Sequence, residues 1–148
     1  MLTTWANRWG VSPVAVAELR AMMGVATTPQ LGPTAEGSEA SVQNAIRLEG
    51  ARRGARLFRN NSGAYQDERG NFIRYGLMNE SKSVNSVCKS ADLIGISNTG
   101  QFLAYEVKRP GWHFTATPRE VAQQNFLNLI VSLGGRAKFI TSVGELDI

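Results

Sequence analysis

The sequence predicts an α/β domain with a central mixed β-sheet flanked by helices. Two short apolar runs, 91–96 and 102–108, have the length of strands, and the turn sequence Asn98-Thr99-Gly100 between them indicates a hairpin. A helix with Pro118 just inside its start follows, and it is succeeded by a final apolar run at 137–140. Helices that alternate with short strands along the chain are typical of this class.

The first helices are predicted near the amino terminus. Ser12 and Pro13 form a good helix start, and apolar residues at helical spacing carry that helix to Met23. A shorter helix is predicted around 4–9. The pair is similar to the first two helices of a helix-turn-helix, but a helical hairpin that packs on the core or on a partner is the favoured interpretation.

The next stretch predicts a linker followed by the main domain. Prolines and glycines interrupt 25–37, so we predict an extension at 1–24, a linker at 25–37 and a main domain at 38–148. Ser38 is a predicted N-cap, and Glu39 lies in the first turn, where the helix dipole favours an acid. This helix should run to about Arg53 and end at Gly54.

The remaining elements follow from turn residues and periodicity. Strands are predicted at 55–61 and 72–75, with a turn at 67–71 and an irregular surface loop at 76–90. The late helix is expected to bury one apolar stripe before the pair Gly134-Gly135. The predicted stripe consists of Val121, Phe126, Leu129, Ile130 and Leu133.

Composition limits the classes of protein to which the chain can belong. The 148 residues are 43% apolar, which suits one domain with a modest core. No apolar run is long enough to span a bilayer, and the first residues lack the pattern of a secretory signal, so we expect no membrane association. A single cysteine, Cys88, and a single histidine, His113, argue against a disulfide and a Cys/His zinc site. We therefore expect a structural thiol in a reducing cytoplasm, which would be that of the host cell if the protein is viral.

Charge points to a polyanionic partner. The net charge is +4, and between Arg47 and Arg109 eleven basic residues accompany six acidic ones. Such a basic field would steer phosphates, although a solvated basic surface explains the composition equally well.

Asp92, Glu106 and Lys108 form the most informative pattern. Glu106 and Lys108 are two residues apart on one predicted strand, so they share a face. If the hairpin pairs the two strands, Asp92 comes close to Glu106. Two carboxylates and an ammonium at one point indicate a site for a divalent cation with a water molecule to activate.

These residues, in this order, resemble the PD-(D/E)XK nuclease core and, more narrowly, the virus-type replication-repair nuclease (VRR-NUC) domain in its small stand-alone phage form. The similarity covers about 38–142. It includes Glu39 in the preceding helix, the strand that ends at Arg59-Asn60, the two acid-bearing strands, and a glutamine in the late helix. The proline that usually precedes the first acid is Ala91 here.

The resemblance implies a restriction-endonuclease-like fold and a role for each site residue. Asp92, Glu106 and the carbonyl of Val107 would bind Mg²⁺ or Mn²⁺, with Glu39 contributing through water or a second ion. Lys108 would orient or help deprotonate the attacking water. Gln123 would position Lys108 or that water, and spacing favours Gln123 over Gln124.

The resemblance also implies a metal-dependent endonuclease that acts on DNA, without an organic cofactor. Stand-alone members of the family look like homodimers that resolve branched DNA such as Holliday junctions. Two alternatives remain open: a non-catalytic DNA-binding module, and a nuclease of the same fold that acts on flaps, nicks or linear duplex. The predicted nucleic-acid contacts are Arg53, Arg56, Arg59, Asn60 and Arg109.

Overall fold

A computed structural model describes residues 1–23 and 31–148. Helices α1 (Leu2–Trp9) and α2 (Pro13–Met22) form the predicted amino-terminal hairpin, and the Ser12 side chain accepts the amide hydrogen of Ala15 at the start of α2. The hairpin leaves most of its large apolar side chains exposed, so it does not bury them against the domain core. Part of the predicted linker, up to residue 30, lies outside the described residues, and 31–37 contain no helix or strand.

Three further helices belong to the main domain. These are α3 (Glu39–Arg52), α4 (Lys82–Val87) and α5 (Pro118–Ser132). The predicted cap of α3 is confirmed, because the Ser38 hydroxyl accepts the amide hydrogen of Ser41. Among the residues that the structure describes, no helix is both long and apolar enough to cross a membrane.

In the described part of the chain, six strands form two sheets, and a short 3₁₀ turn at Val143–Glu145 follows the last of them. The strands are β1 (Arg56–Arg59), β2 (Gly63–Gln66), β3 (Phe72–Tyr75), β4 (Leu93–Ile96), β5 (Phe102–Val107) and β6 (Arg136–Ile140). The central sheet has the order β1-β4-β5-β6; its first two pairings are antiparallel and β5 pairs with β6 in parallel. Strands β2 and β3 form a separate antiparallel hairpin. The α/β class with a mixed central sheet is thus confirmed.

Helices cover both faces of the central sheet. On one face, Val42 and Ile46 of α3 pack against side chains of every central strand, including the fully buried Tyr105. On the other, Phe126 and Leu127 of α5 pack against Ala104 of β5. Burial on both faces explains why β5 reads as a nearly continuous apolar run.

The structure corrects three expectations. The stretch 76–90 contains α4, capped by Ser81, and strand β2 was not predicted. Both are short elements held by neighbouring structure, with little periodicity of their own.

The third correction concerns α5, whose buried apolar side chains are Ala122, Phe126 and Leu127. Three members of the predicted stripe, Val121, Leu129 and Leu133, are exposed. This helix carries apolar residues on several sides, so hydrophobicity alone does not define its inner face. The inner face also contains two polar residues, Glu120 and Gln123.

Gly95 is required by the close approach of β1 to β4. A Cβ atom at this position would lie 2.0 Å from the carbonyl oxygen of Arg56 and 2.9 Å from a methyl carbon of Leu57. We predict that Gly95→Ala lowers the free energy of unfolding by about 3 kcal/mol, because the backbone of an adjacent strand must move. Gly144→Ala is the control, since its Cβ would meet nothing nearer than 3.9 Å. Urea denaturation that finds equal stabilities for the two variants would contradict this packing.

Candidate active site

The register of β4 and β5 brings the two predicted acids together. Leu93 pairs with Tyr105, so Asp92, just before β4, lies opposite Glu106 near the end of β5. The backbone amide of Asp92 donates to Oε2 of Glu106 at 3.2 Å. The hairpin turn at 98–100 therefore produces the juxtaposition that the sequence predicted.

Glu106 is buried, with 3% of its surface exposed, and it is surrounded by donors. Its Oε1 accepts from the Lys108 ammonium at 3.2 Å and from the side-chain amide of Gln123. Asp92 is half-buried, and its Oδ2 accepts from the backbone amide of Val107 at 3.0 Å. Each carboxylate is thus held in place by groups on β4, β5 or α5.

Burial makes both acids hold protons more tightly than usual. Loss of solvent, followed by the charge of Asp92, raises the pKa of Glu106 to about 7. Burial also raises the pKa of Asp92; the charge of Glu39 adds to this rise, and Lys108 opposes it. A cation placed between Asp92 and Glu106 would offset the repulsion between their negative charges.

Lys108 is fixed by polar and aromatic groups. Besides its ion pair with Glu106, it donates to Oε1 of Gln123 at 3.1 Å. Its ammonium lies 5.6 Å from the ring centroid of Trp112 and 5.7 Å from that of Phe139. The position of the ammonium therefore depends on β6 and on the loop after β5 as well as on its own strand.

Gln123 joins the acid to the base. Its amide nitrogen donates to Glu106 while its amide oxygen accepts from Lys108. A carboxamide offers a donor to a carboxylate and an acceptor to an ammonium in one planar group. Gln123 is 2% exposed, whereas Gln124 is directed to Asn128 on the helix surface, so Gln123 is the glutamine that reaches the acids.

Val107 has its side chain in the core and its backbone at the site. Its amide hydrogen points to Asp92, and the amide and carbonyl of one strand residue face the same neighbour. The Val107 carbonyl is thereby directed to the side on which Asp92 lies, where the sequence predicted an oxygen ligand.

Glu39 remains outside the cluster. It is exposed in the first turn of α3, near enough for its charge to act on Asp92. In 1–23 and 31–148, no three His, Cys, Asp or Glu side chains assemble into a metal-binding group. The predicted role of Glu39 through water stays a prediction.

A polar cleft of about 400 Å³ opens beside the acids. Asp92 and Glu106 lie in its wall, and the other walls come from the β2–β3 hairpin, α4 and the start of α5. Three cationic side chains line it: Arg74, Lys89 and Arg119. None of the three was predicted from the sequence. Arg119 could have been found, because it lies one helical turn before Gln123 on the same face.

Of the five predicted nucleic-acid contacts, only Asn60 lines this cleft. Asn60 lines the cleft, and its side chain donates to Ser90 and to the carbonyl of Ala91, so it fixes the segment that carries Asp92. Arg53 is bonded to Glu49 and to the carbonyl of Leu146.

The other three predicted contacts do not line the cleft. Arg59 is exposed, and Arg59 and Arg56 both lie near Arg47. The pKa of Arg47 is lowered by its own partial burial and then by the positive charges of Arg59 and Arg56. Arg109 is exposed in the loop after β5. The three cations that line the cleft are thus outside the predicted set of nucleic-acid contacts.

Glu120 braces the loop that carries Trp112. Its carboxylate accepts from the Trp112 indole at 3.1 Å and from the backbone amides of Thr115 and Thr117. With the Thr117 hydroxyl it also forms the capping box of α5. The start of α5, and with it Gln123, is therefore fixed to the aromatic support of Lys108.

Comparison with known proteins gave no match: no family model, no curated protein and no solved structure corresponds to this chain.

Adjacent glutamines allow a matched test of the bridge. We predict that Gln123→Glu destabilises the metal-free protein by about 2 kcal/mol at pH 8, because it replaces a donor to Glu106 with a negative charge. Gln124→Glu makes the same chemical change one residue away on the helix surface, and it should cost less than about 0.5 kcal/mol. Urea denaturation in EDTA measures both, and equal costs would refute the bridging role.

The raised pKa of Glu106 predicts a pH-dependent stability. A carboxyl with a folded pKa of about 7 and an ordinary value of 4.5 contributes its full proton-linked stability below pH 4.5 and loses it as the pH rises to 7. Relative to Glu106→Gln, the metal-free wild type should therefore lose about 3 kcal/mol of unfolding free energy between those pH values. Parallel pH profiles for the two proteins in EDTA would contradict the shift.

Proposed function

We propose that this protein is a metal-dependent endonuclease that hydrolyses DNA phosphodiester bonds. The observation that supports it best is the convergence of Asp92, Glu106 and Lys108 beside a cleft lined by cations. Acids that bind a hard cation, together with basic side chains that bind phosphate, are the combination that phosphodiester hydrolysis requires.

The donor set fits Mg²⁺ or Mn²⁺. The pair Asp92 and Glu106 supplies carboxylate oxygens, and the Val107 carbonyl lies on the same side. Mg²⁺ keeps several waters and is commonly held by one or two carboxylates plus substrate phosphates, so two acids are sufficient. When bound, such an ion lowers the pKa of a coordinated water and offsets negative charge on the phosphate.

The residues of the chain would divide the remaining work. Lys108 would orient the attacking water and stabilise charge that develops on the phosphate oxygens. Gln123 would hold the Lys108 ammonium at a fixed distance from Glu106. Arg119 and Lys89 would bind the phosphates of the substrate strand.

The family resemblance narrows this proposal. An acid before one strand, a Glu-x-Lys motif on the next and a helix glutamine, on a mixed sheet between helices, support assignment to the VRR-NUC branch of the PD-(D/E)XK nucleases. That assignment carries with it a homodimer that cuts branched DNA such as Holliday junctions, with two sites related by symmetry.

Cleavage of labelled DNA tests the proposal. Four-way junction, flap, nicked and linear duplex substrates are incubated with Mg²⁺, with Mn²⁺ and with EDTA. We expect cleavage only with metal, and a loss of at least about a hundredfold in rate for Asp92→Ala and Lys108→Ala. Lys138→Ala is the matched control: its half-exposed ammonium pairs with Asp147, 3.7 Å away, and its cleavage rate should equal that of the wild type.

The outcomes separate the possible functions. Metal-independent cleavage, or full activity in Asp92→Ala, would refute the mechanism. Equal rates of cleavage for the four-way junction and the linear duplex would support nuclease activity but refute a specificity for junctions. Tight binding with no cleavage of any substrate would favour a non-catalytic DNA-binding module.

A further inference from the structure

The β2–β3 hairpin has two chemically different faces. Neighbouring residues of a strand point to opposite sides, so Phe72 and Arg74 share one face while Ile73 and Tyr75 share the other. Arg74 and its cross-strand partner Ala64 line the cleft, so their face is the one directed to the acids. Tyr65 pairs with Ile73 and therefore lies on the opposite face.

Arg74 is positioned in advance for an anion. Its Nη1 donates to Oδ1 of Asn79 at 3.1 Å. Asn79 is buried, and its amide nitrogen donates to the carbonyls of Gly63 and Tyr75, one on each strand of the hairpin. No carboxylate in the described part of the chain forms an ion pair with Arg74. The guanidinium is thus fixed by a neutral group, which leaves its charge available to a ligand.

Phe72 extends the same face outward. Its ring is 59% exposed, and the Arg74 guanidinium lies 5.1 Å from the ring centroid. An exposed aromatic ring beside an arginine is the arrangement on which proteins stack nucleic-acid bases. A base inside a duplex is already stacked and paired, so only an unpaired nucleotide can use this ring.

The cations continue from the hairpin to the acids. Lys89, bonded to the side chain of Asn85, and Arg119 line the same cleft as Arg74. Arg119 is close enough for its charge to act on both Asp92 and Glu106. The residues that line the cleft include no aromatic ring, so on this face of the hairpin the exposed ring available for stacking is that of Phe72. The cleft itself offers contacts for a sugar-phosphate backbone.

We propose that the β2–β3 hairpin binds an unpaired nucleic-acid strand, with a base stacked on Phe72 and the phosphates running along Arg74, Lys89 and Arg119 to the acids. Among the branched substrates of the proposed nuclease, this favours DNA that carries an unpaired strand, such as a flap, over a fully paired four-way junction. This substrate preference rests on the proposed nuclease function, whereas the binding of an unpaired strand to the hairpin does not require cleavage.

Binding is measured by fluorescence anisotropy in EDTA, so that no hydrolysis occurs. The probes are single-stranded DNA, blunt duplex, and the same duplex with a single-stranded arm. The wild type should bind the armed duplex more tightly than the blunt one. Phe72→Ala should weaken binding of the single strand and the armed duplex about tenfold and leave blunt duplex unchanged, while Phe72→Trp retains the affinity.

Arg74→Gln tests the phosphate path. It should weaken binding to the armed duplex and reduce the salt dependence by about one phosphate contact. Two variants serve as matched controls. Tyr65→Ala removes an aromatic ring from the opposite face of the same hairpin, and Arg136→Gln removes an arginine at the start of β6, the far end of the sheet from the acids. Both should bind as the wild type does, and thermal unfolding confirms that each variant is folded.

Several results would overturn the inference. These are equal wild-type affinity for blunt and armed duplex, wild-type binding by Phe72→Ala, or an equal loss in Tyr65→Ala. The proposed function fails separately: armed-duplex binding that depends on Phe72, with no cleavage in Mg²⁺, would refute the nuclease and leave the strand site. Cleavage that depends on Asp92 but not on Phe72 would refute the strand site alone.

Discussion

The antiparallel register between β4 and β5 is the constraint on which the site depends. It places the start of β4 beside the end of β5. Asp92 and Glu106 therefore meet, although they are fourteen residues apart in the sequence. A shift of one residue would send Glu106 into the α3 face of the core and Tyr105 to the site. The register is held on both sides, because Gly95 lets β1 approach closely and β6 pairs with β5 along its length. The packing of the sheet therefore determines how Asp92 and Glu106 are placed relative to each other.

Two carboxylates at one point, one buried and one half-buried, are costly for a folded protein, and the surroundings offset only part of that cost. Lys108 and Gln123 satisfy Glu106, and the Val107 amide satisfies one oxygen of Asp92, yet both acids still hold protons more tightly than usual. Perturbed carboxyls of this kind cluster where a protein binds a cation or transfers a proton. The support is layered, since Glu120 fixes the loop that carries Trp112 and Trp112 lies beside Lys108. Loss of a support residue should displace the ammonium without removing it.

Local patterns along the chain predicted much of this structure. The Ser12 and Ser38 caps, the 98–100 turn and the acid-bearing strands are local signals, and each appears where it was expected. The spacing that favoured Gln123 over Gln124 also identified the glutamine that is buried. The failures are long-range: α4 is polar and depends on its neighbours, and α5 turns a face that includes Glu120 and Gln123 inward. The cationic lining of the cleft was missed because Arg74 of β3, Lys89 of the loop after α4 and Arg119 of α5 are far apart in sequence and meet only in the tertiary fold.

The packing of Trp112 has a practical consequence. The chain has three tryptophans; Trp5 and Trp9 are exposed on α1, whereas Trp112 stacks on Phe139 and lies 5.6 Å from the Lys108 ammonium. Replacing the two exposed indoles leaves Trp112 as the single tryptophan, beside the Lys108 ammonium. Indole emission is sensitive to nearby charge, so selective excitation of Trp112 should report any event that moves the Lys108 ammonium. Titrations of ions or oligonucleotides can then be followed without an attached dye.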